Sequence, residues 1–208
     1  MEWFATLTLA LGSAWTSGIN LYATVSTLGL IQRVGGVKLP GGLDVLDNWW
    51  VIGFAVGLYV IEFFADKIPY LDSLWDVVHT FIRVPAGAVV AYAAAFDLPP
   101  SIYIPAFLVG GGLAFSSHGT KAAIRMAVNL SPEPFSNWIL SVIEDAVVFI
   151  TAFLAVFAPI AAALLLLIFL GFFVWFFPKA FRAIRKIFTT AFDFVRGKFF
   201  AGAGRKPG

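Results

Sequence analysis

AVVFITAFLAVFAPIAAALLLLIFLGFFVWFF, residues 146–177, runs for 32 residues without a charged side chain. About 20 apolar residues in a helix cross the hydrocarbon core of a bilayer, so this run is too long for one span. Pro159 divides it, because proline lacks the N–H that an inner helical position must donate. The sequence therefore predicts two membrane-crossing helices, about Trp138–Ala158 and Ile160–Phe177. The fold class that follows is all-α integral membrane.

Composition agrees with that reading. Apolar residues make up 60% of the 208, only 12% are charged, and the mean hydropathy is +0.89, all outside the range of a soluble globular domain. Cysteine is absent, which excludes disulfides, thiolate metal sites and cysteine nucleophiles. Glu2 stands where a secretory signal would carry positive charge, and the apolar residues after it continue into a full span, so a retained first helix is expected. Eight of the fourteen Lys and Arg residues follow residue 178. The positive-inside rule then puts both termini on the cytoplasmic side of a multi-pass protein with an even number of spans.

Four more spans come from hydropathy and breakers. The first is about Trp3–Ile31, with an expected break or tilt at Gly12 and Gly18, and Ser13, Thr16 or Ser17, Asn20, Thr24 and Thr27 form an uncharged polar stripe along it. Gln32–Asn48, with two GG pairs and a proline, reads as a polar surface connection. The second span runs from Trp49 to about Phe64. The third covers about Leu74–Phe96, after a break at Pro69 and a cap at Asp72 or Ser73, and the fourth Ile102–Val128. This makes six spans in one transmembrane domain, residues 1–178.

Self-comparison divides the six. ALGSAWTSG (Ala10–Gly18) matches GGGLAFSSH (Gly110–His118), and the segment opening at Asn48-Trp49 matches that opening at Asn137-Trp138 in length and terminal proline. The matches occur in the same order and give two repeats, about 3–97 and 102–178. Three spans per repeat force opposite orientations, so the expectation is a pair of inverted three-helix repeats, an arrangement typical of transporters.

After residue 178 the pattern changes. Phe181, Ile184, Phe188, Phe192, Val195 and Phe199 recur at steps of three and four, with Lys179, Arg182, Arg185, Lys186, Arg196 and Lys198 mostly on other faces. Residues 179–200 read as a basic amphipathic helix on the cytoplasmic lipid surface. Membrane lipids are its expected partner, and nucleic acid is not. A disordered tail, 201–208, is expected to follow.

Charges inside the spans point to function, because each costs on the order of 2.5–3.5 kcal/mol on insertion scales and usually pairs or lines a wet cavity. Asp72, Asp76, His79 and Arg83 are spaced 4, 3 and 4 apart, on one helix face. His118, Lys121 and Arg125 share a face of the fourth span. The candidate substrate or ion pathway is Glu62, Asp76, His79, Arg83, His118, Lys121, Arg125, Glu144 and Asp145. Asp66, Lys67 and Asp72 have a headgroup-level position as the alternative. Asp72, Asp76 and His79 are also the candidate metal ligands by residue type, although three ligands on one helix rarely complete a shell.

Long runs, SAWTSGINLYAT (Ser13–Thr24), FFADKIPYLDSLWDVVHTFIRVPAG (Phe63–Gly87) and NLSPEPFSNW (Asn129–Trp138), resemble a bacterial family of polytopic membrane proteins known as a domain of unknown function. The resemblance covers residues 8–170 and implies a bacterial inner-membrane protein. It assigns no catalytic residue.

Function is thus expected to be a small inverted-repeat transporter or channel-like translocator, proton- or ion-coupled, for a small ion or a polar or anionic substrate. A translocase for an anionic lipid and a non-transporting membrane scaffold are the alternatives. No nucleophile elbow, phosphate-binding glycine loop or HExxH pair occurs, so no catalytic residue and no cofactor is expected. An intramembrane metal hydrolase stays open among enzyme readings. Homodimerisation is a further expectation, from the small size and the glycines.

Overall fold

The computed structural model describes residues 2–68, 70–129 and 134–201, and side chains within them except at 134, 187, 188, 191 and 193–201. Seven α-helices follow in order: α1 Glu2–Ile19, α2 Leu21–Arg33, α3 Trp49–Ala65, α4 Leu71–Ala94, α5 Pro100–Val128, α6 Pro134–Phe157 and α7 Pro159–Ala201, with a 3-10 helix, Gly41–Asp47, before α3. The chain divides into two units, Met1–Phe169 and Leu170–Gly208.

Among the described residues four helical segments are long and apolar enough to cross a membrane: Leu71–Ala94, Pro100–Val128, Phe135–Phe157 and Pro159–Lys186. A fifth arises if the 3-10 helix and α3, bent by 79°, count as one broken span. The expected count of six is not reached on these grounds. The missing signal lies in the first expected span, whose Ser and Thr residues dilute its hydropathy and whose chain breaks in two.

That break falls at Asn20, not at Gly12 or Gly18. Asn20 is extended (φ −148°, ψ 102°) and its side-chain oxygen accepts from the Ala23 N–H at 2.9 Å. In an unbroken helix that N–H would bond the Ile19 carbonyl. The two glycines serve packing instead. Gly12 lies against Ala155, and a Cβ on Gly18 would run into the Ala114 carbonyl and the Ser117 hydroxyl.

Small residues bring three helices together in unit 1. A Cβ on Gly87 of α4 would collide with Ala114 of α5, and one on Gly110 of α5 with Ala91 of α4, while Ala14 of α1 packs against the same place. Ala14, Ala91 and Ala114 are fully buried. Close backbone approach through small side chains is the packing mode that works without a hydrophobic driving force between helices.

The unit buries a polar cluster beside its apolar core and is apolar outside. On α4, Asp72, Asp76, His79 and Arg83 are buried, while Val77, Val78, Phe81 and Val89 are exposed. The α5 helix repeats this, with Ser117, His118, Lys121 and Arg125 inside and Phe107, Leu108 and Phe115 outside. Such a surface suits lipid and would be a liability in water.

Two connections depart from expectation. Between α2 and α3 the chain folds back on the bundle: Leu39, Leu43 and Leu46 are buried, and Gln32 binds the Leu39 N–H at 3.0 Å and the Asp44 carbonyl at 3.1 Å. Asp97 ties the Gly41 N–H at 2.8 Å. The α4 helix starts three residues before Leu74, from Tyr70 at φ 69° with no side-chain cap. Asp72, expected as a cap, sits in the first turn and turns inward.

The basic stretch is not a separate helix, because α7 continues from Pro159 through Pro178 to Ala201. Phe181, Arg182 and Arg185 are exposed on it. Phe188, Val195 and Phe199 of the expected stripe lie outside the described side chains, and 202–208, expected as part of a disordered tail, lie outside the described residues.

Candidate functional site

The acidic end of α3 and the start of α4 converge on the second half of α5 and the first half of α6. Arg83, fully buried, is the first hub. Its Nη2 donates to Glu62 Oε1 at 2.6 Å, and its Nη1 donates to Asp76 Oδ1 at 3.0 Å and lies 3.2 Å from His118 Nδ1. Arg125 is the second hub: Nη2 donates to Glu144 Oε2 at 2.5 Å and Asp66 Oδ2 at 3.1 Å, and Nη1 to the Asp66 carbonyl at 2.7 Å and Asp72 Oδ2 at 3.4 Å.

Lys121 joins the two. Its Nζ is 2.9 Å from Asp66 Oδ2, 3.6 Å from Glu62 Oε1, 3.6 Å from Glu144 Oε2 and 3.8 Å from Asp76 Oδ1. It also donates to the Ile19 carbonyl at 3.2 Å, at the end of α1. The break in the first expected span therefore opens directly onto the charges.

Polar neutral groups complete the shell. Asn129 donates to both oxygens of Asp72, at 2.9 and 3.1 Å, and Asn137 donates to the Asn129 oxygen at 2.9 Å. Asp145 accepts from Asn20 at 3.2 Å and from Tyr59 at 3.1 Å. His118 Nε2 lies 2.7 Å from the Thr80 hydroxyl, and His79 bridges the Tyr22 hydroxyl (3.0 Å) and the Trp75 carbonyl (2.8 Å), stacked on the Trp75 ring. Lys67, in the connection after α3, is half-buried and binds the Phe63 carbonyl and the Ser141 hydroxyl. Burial pushes its ammonium below the ordinary lysine range, against the opposing pull of Asp145 and Asp66.

Charge does not balance in this core. Six carboxylates, Glu62, Asp66, Asp72, Asp76, Glu144 and Asp145, face three buried cations, Arg83, Lys121 and Arg125. Counting Lys67 still leaves an acidic excess. Among the described residues Glu62 Oε2, Asp66 Oδ1 and Asp76 Oδ2 are buried without a hydrogen-bond partner, as are Arg83 Nε and Arg125 Nε. Coulomb attraction at low dielectric holds such a cluster together only where good geometry offsets desolvation. Unpartnered acceptors beside an acidic excess mark where added positive charge would be stabilised.

Residues 7–179 match the family described as Domain of unknown function (DUF4126). The chain belongs to this family. No curated protein and no solved structure matches it. For this DUF4126 chain the family membership carries no activity, and the site stands on its own geometry.

All nine pathway residues expected from the sequence lie in or beside the cluster. Glu62, Asp76, Arg83, His118, Lys121, Arg125 and Glu144 interlock directly, whereas His79 and Asp145 stand at its edge, bonded to Tyr22 and to Asn20 and Tyr59 respectively. The metal trio separates: Asp72 goes to Arg125 and Asn129, Asp76 to Arg83, and His79 to Tyr22. Among the described residues no group of three or more His, Asp or Glu side chains is arranged to hold a metal ion.

Sequence reasoning undervalued Asp66 and Asp72, given a headgroup-level alternative but buried here. It missed Tyr59, Asn129 and Asn137 as site residues. Asn129 and Asn137 were legible as two amides flanking a turn-rich connection four residues or more from any charge, while Tyr59 sits in an apolar run with no local signal.

Neither of two cavities in unit 1 is lined by the cluster's ion pairs. One, of about 750 Å³, lies where α1 begins and is lined by Glu2, Lys38, Asp44 and Asp97 among apolar neighbours. The other, of about 540 Å³, is an apolar groove between α2, α3 and α4 with Tyr22 in its wall.

Proposed function

We propose that this chain is a small ion-coupled membrane transporter or channel-like translocator, caught with its charged site closed. The observation that carries the reading is the α1–α2 break, whose free Ile19 carbonyl is taken by Lys121 of the acidic cluster. Discontinuous helices that offer backbone ends to a charged mid-membrane site are the recurring device of inverted-repeat transporters. A permanent structural network would need no acidic excess and no broken helix.

Six spans in two inverted halves fit the same proposal. The α1–α2 pair counts as one broken span beside α3 and α4, and α5, α6 and α7 form the second half. The matched segments Ala10–Gly18 and Gly110–His118 cross each other, with Ser117 donating to the Trp15 carbonyl at 2.7 Å, as repeats meeting near a pseudo-two-fold axis would. The basic end of α7 then lies on the cytoplasmic side of a bacterial inner membrane.

The test is a flux screen. Purified protein in liposomes loaded with a pH-sensitive dye is offered alkali and divalent cations, carboxylates and phosphate in turn. One class should move with the pH gradient, and Glu62→Gln and Asp76→Asn should abolish its movement. Absence of movement in every class defeats the proposal.

An anionic-lipid translocase is the second reading, favoured by the groove lined by Leu21, Tyr22, Val25, Trp50, Phe54 and Val89. Its walls are apolar, as an acyl chain requires, and Tyr22 in its lining bonds His79, on the α4 face that also carries Asp76 and Arg83. Fluorescent phospholipid that becomes accessible to a membrane-impermeant quencher only with active protein, and without ion flux, would select it.

A further inference from the structure

Asp145 differs from the other five carboxylates of the cluster. Glu62 and Asp76 each have Arg83 and Lys121 within 4.0 Å, Asp66 and Glu144 have Lys121 and Arg125, and Asp72 has Arg125. Among the described residues no cation lies within that distance of Asp145. It is nonetheless only 7% exposed, and both its oxygens are held by neutral donors, Oδ1 by the Asn20 amide and Oδ2 by the Tyr59 hydroxyl.

Asn20 faces two ways. Its Nδ2 holds Asp145, while its Oδ1 holds the Ala23 N–H and so starts α2. Any change of charge on Asp145 therefore acts on the residue that breaks the first span.

Other groups set the local field. The α3 helix brings Tyr59, Glu62 and the adjoining Asp66, α5 brings Lys121, the connection after α3 brings Lys67, and α6 itself brings Glu144. Between α1 and α2 the Asn20 amide meets it at 3.2 Å. Arg125 of α5 also reaches Glu144 and Asp66, so acids and bases around Asp145 are equal in number. Among the described residues Glu62, Asp66 and Asp76 each keep one buried oxygen without a partner, as do Arg83 Nε and Arg125 Nε. What sets Asp145 apart is therefore its own first contacts, which are neutral on both oxygens.

We propose that Asp145 is a proton-binding site whose occupancy sets the geometry of the α1–α2 break through Asn20. The inference rests on the transporter reading, for which it names the coupling ion.

The step is simple in chemistry. A proton from water forms an O–H bond at Oδ2, and no electron pair leaves the carboxyl group. The new hydroxyl donates to the Tyr59 oxygen, whose own O–H turns away. Oδ1 becomes the carbonyl of a neutral acid, and the Asn20 amide loses a charge-assisted bond roughly twice as strong as its replacement. Asn20 is then freer to move with α2, and release of the proton to water restores the clamp.

Absence of native cysteine allows a direct measurement. Phe4→Cys and Leu30→Cys, at exposed positions on α1 and α2, carry a spin-label pair on the full chain in lipid vesicles. Pulsed electron-resonance distances are read across a pH series. The distance distribution should change with pH in a single-proton transition. Asp145→Asn, close in shape to the neutral acid, should hold it at the acid form at every pH. Tyr59→Phe removes a donor to the carboxylate and should move the transition to higher pH. A pH-independent distribution, an unchanged transition in Asp145→Asn, or no displacement in Tyr59→Phe overturns the proposal. Should Asp145→Asn fail to fold, the displacement in Tyr59→Phe decides alone. The readout involves no flux, so a break that titrates in a protein that transports nothing, or the reverse, separates this inference from the transporter reading.

Discussion

Lys121 and Ile19 complete each other: the ammonium of α5 donates at 3.2 Å to the carbonyl that the Asn20 turn removes from the helix ladder. A buried backbone carbonyl without a partner is costly in hydrocarbon, and a buried ammonium without carboxylates more so. One side chain satisfies both needs while standing within 4.0 Å of four acids.

Lys121→Met should therefore be more damaging than an ordinary core substitution. It orphans the carbonyl and removes one of three buried cations from an already acidic core. Breaking a buried pair by deleting one partner costs about 3–5 kcal/mol. Thermal unfolding in detergent should show a large loss of stability, partly regained at acid pH, where protons replace the missing charge. Equal stability of Lys121→Met and the parent would show the contact to be dispensable.

Arg83 and Glu62, both fully buried and 2.6 Å apart, allow a cycle. Arg83→Met and Glu62→Leu should each destabilise strongly, by about 3–5 kcal/mol, because each leaves the other charge without its closest partner. Together they should cost clearly less than the sum, since two apolar groups need no partner. Strict additivity of the unfolding free energies would mean that the pair is uncoupled.

Much of this was legible in the sequence. The run 146–177 with Pro159 located both ends of α6 and the start of α7 to within a few residues, since a charge-free stretch of that length has few readings. It did not locate the end of α7, which runs on through Pro178 to Ala201. Helical spacing put Asp76 with Arg83, and Lys121 with Arg125, on shared helix faces, and the structure buries both faces. Asn20 was less legible: amid Ser and Thr it looked like one more polar residue of a stripe, and glycine seemed the better breaker. What decided the break was a tertiary partner, Lys121, a hundred residues away. The inward turn of Asp66 and Asp72 was hidden for the same reason, because ion pairs between distant segments leave no mark on local hydropathy.

The glycines of α5 should divide by neighbour, not by propensity. Gly110→Val forces a branched side chain into Ala91 of α4 and Ala14 of α1, and should spread the three-helix contact and abolish folded monodisperse protein on size exclusion. Two residues on, a Cβ at Gly112 meets nothing within 4 Å, so Gly112→Ala should be neutral or stabilising by up to about 1 kcal/mol through helix propensity. Equal tolerance of both would contradict the packing.

Asn20 offers the last test, because its two functions can be separated. Asn20→Ala loses the cap of α2 and the hold on Asp145 together, at a cost of about 0.5–2 kcal/mol for the cap. Asn20→Asp keeps an oxygen for the Ala23 N–H, and aspartate caps as well as asparagine. It replaces the amide donor, however, with a second carboxylate oxygen close to Asp145 Oδ1, which the amide now holds at 3.2 Å. Two carboxylates so placed share a proton, since both cannot ionise at that distance. The folded Asn20→Asp variant then binds a proton that its unfolded chain has released, so its stability falls as pH rises from the ordinary carboxylate range. Melting temperatures across pH should show this falling slope steeply in Asn20→Asp, and a shallower one in Asn20→Ala, which only takes a donor from the Asp145 carboxylate. Parallel slopes in the two variants would mean that residue 20 does not face Asp145 in the membrane-embedded protein.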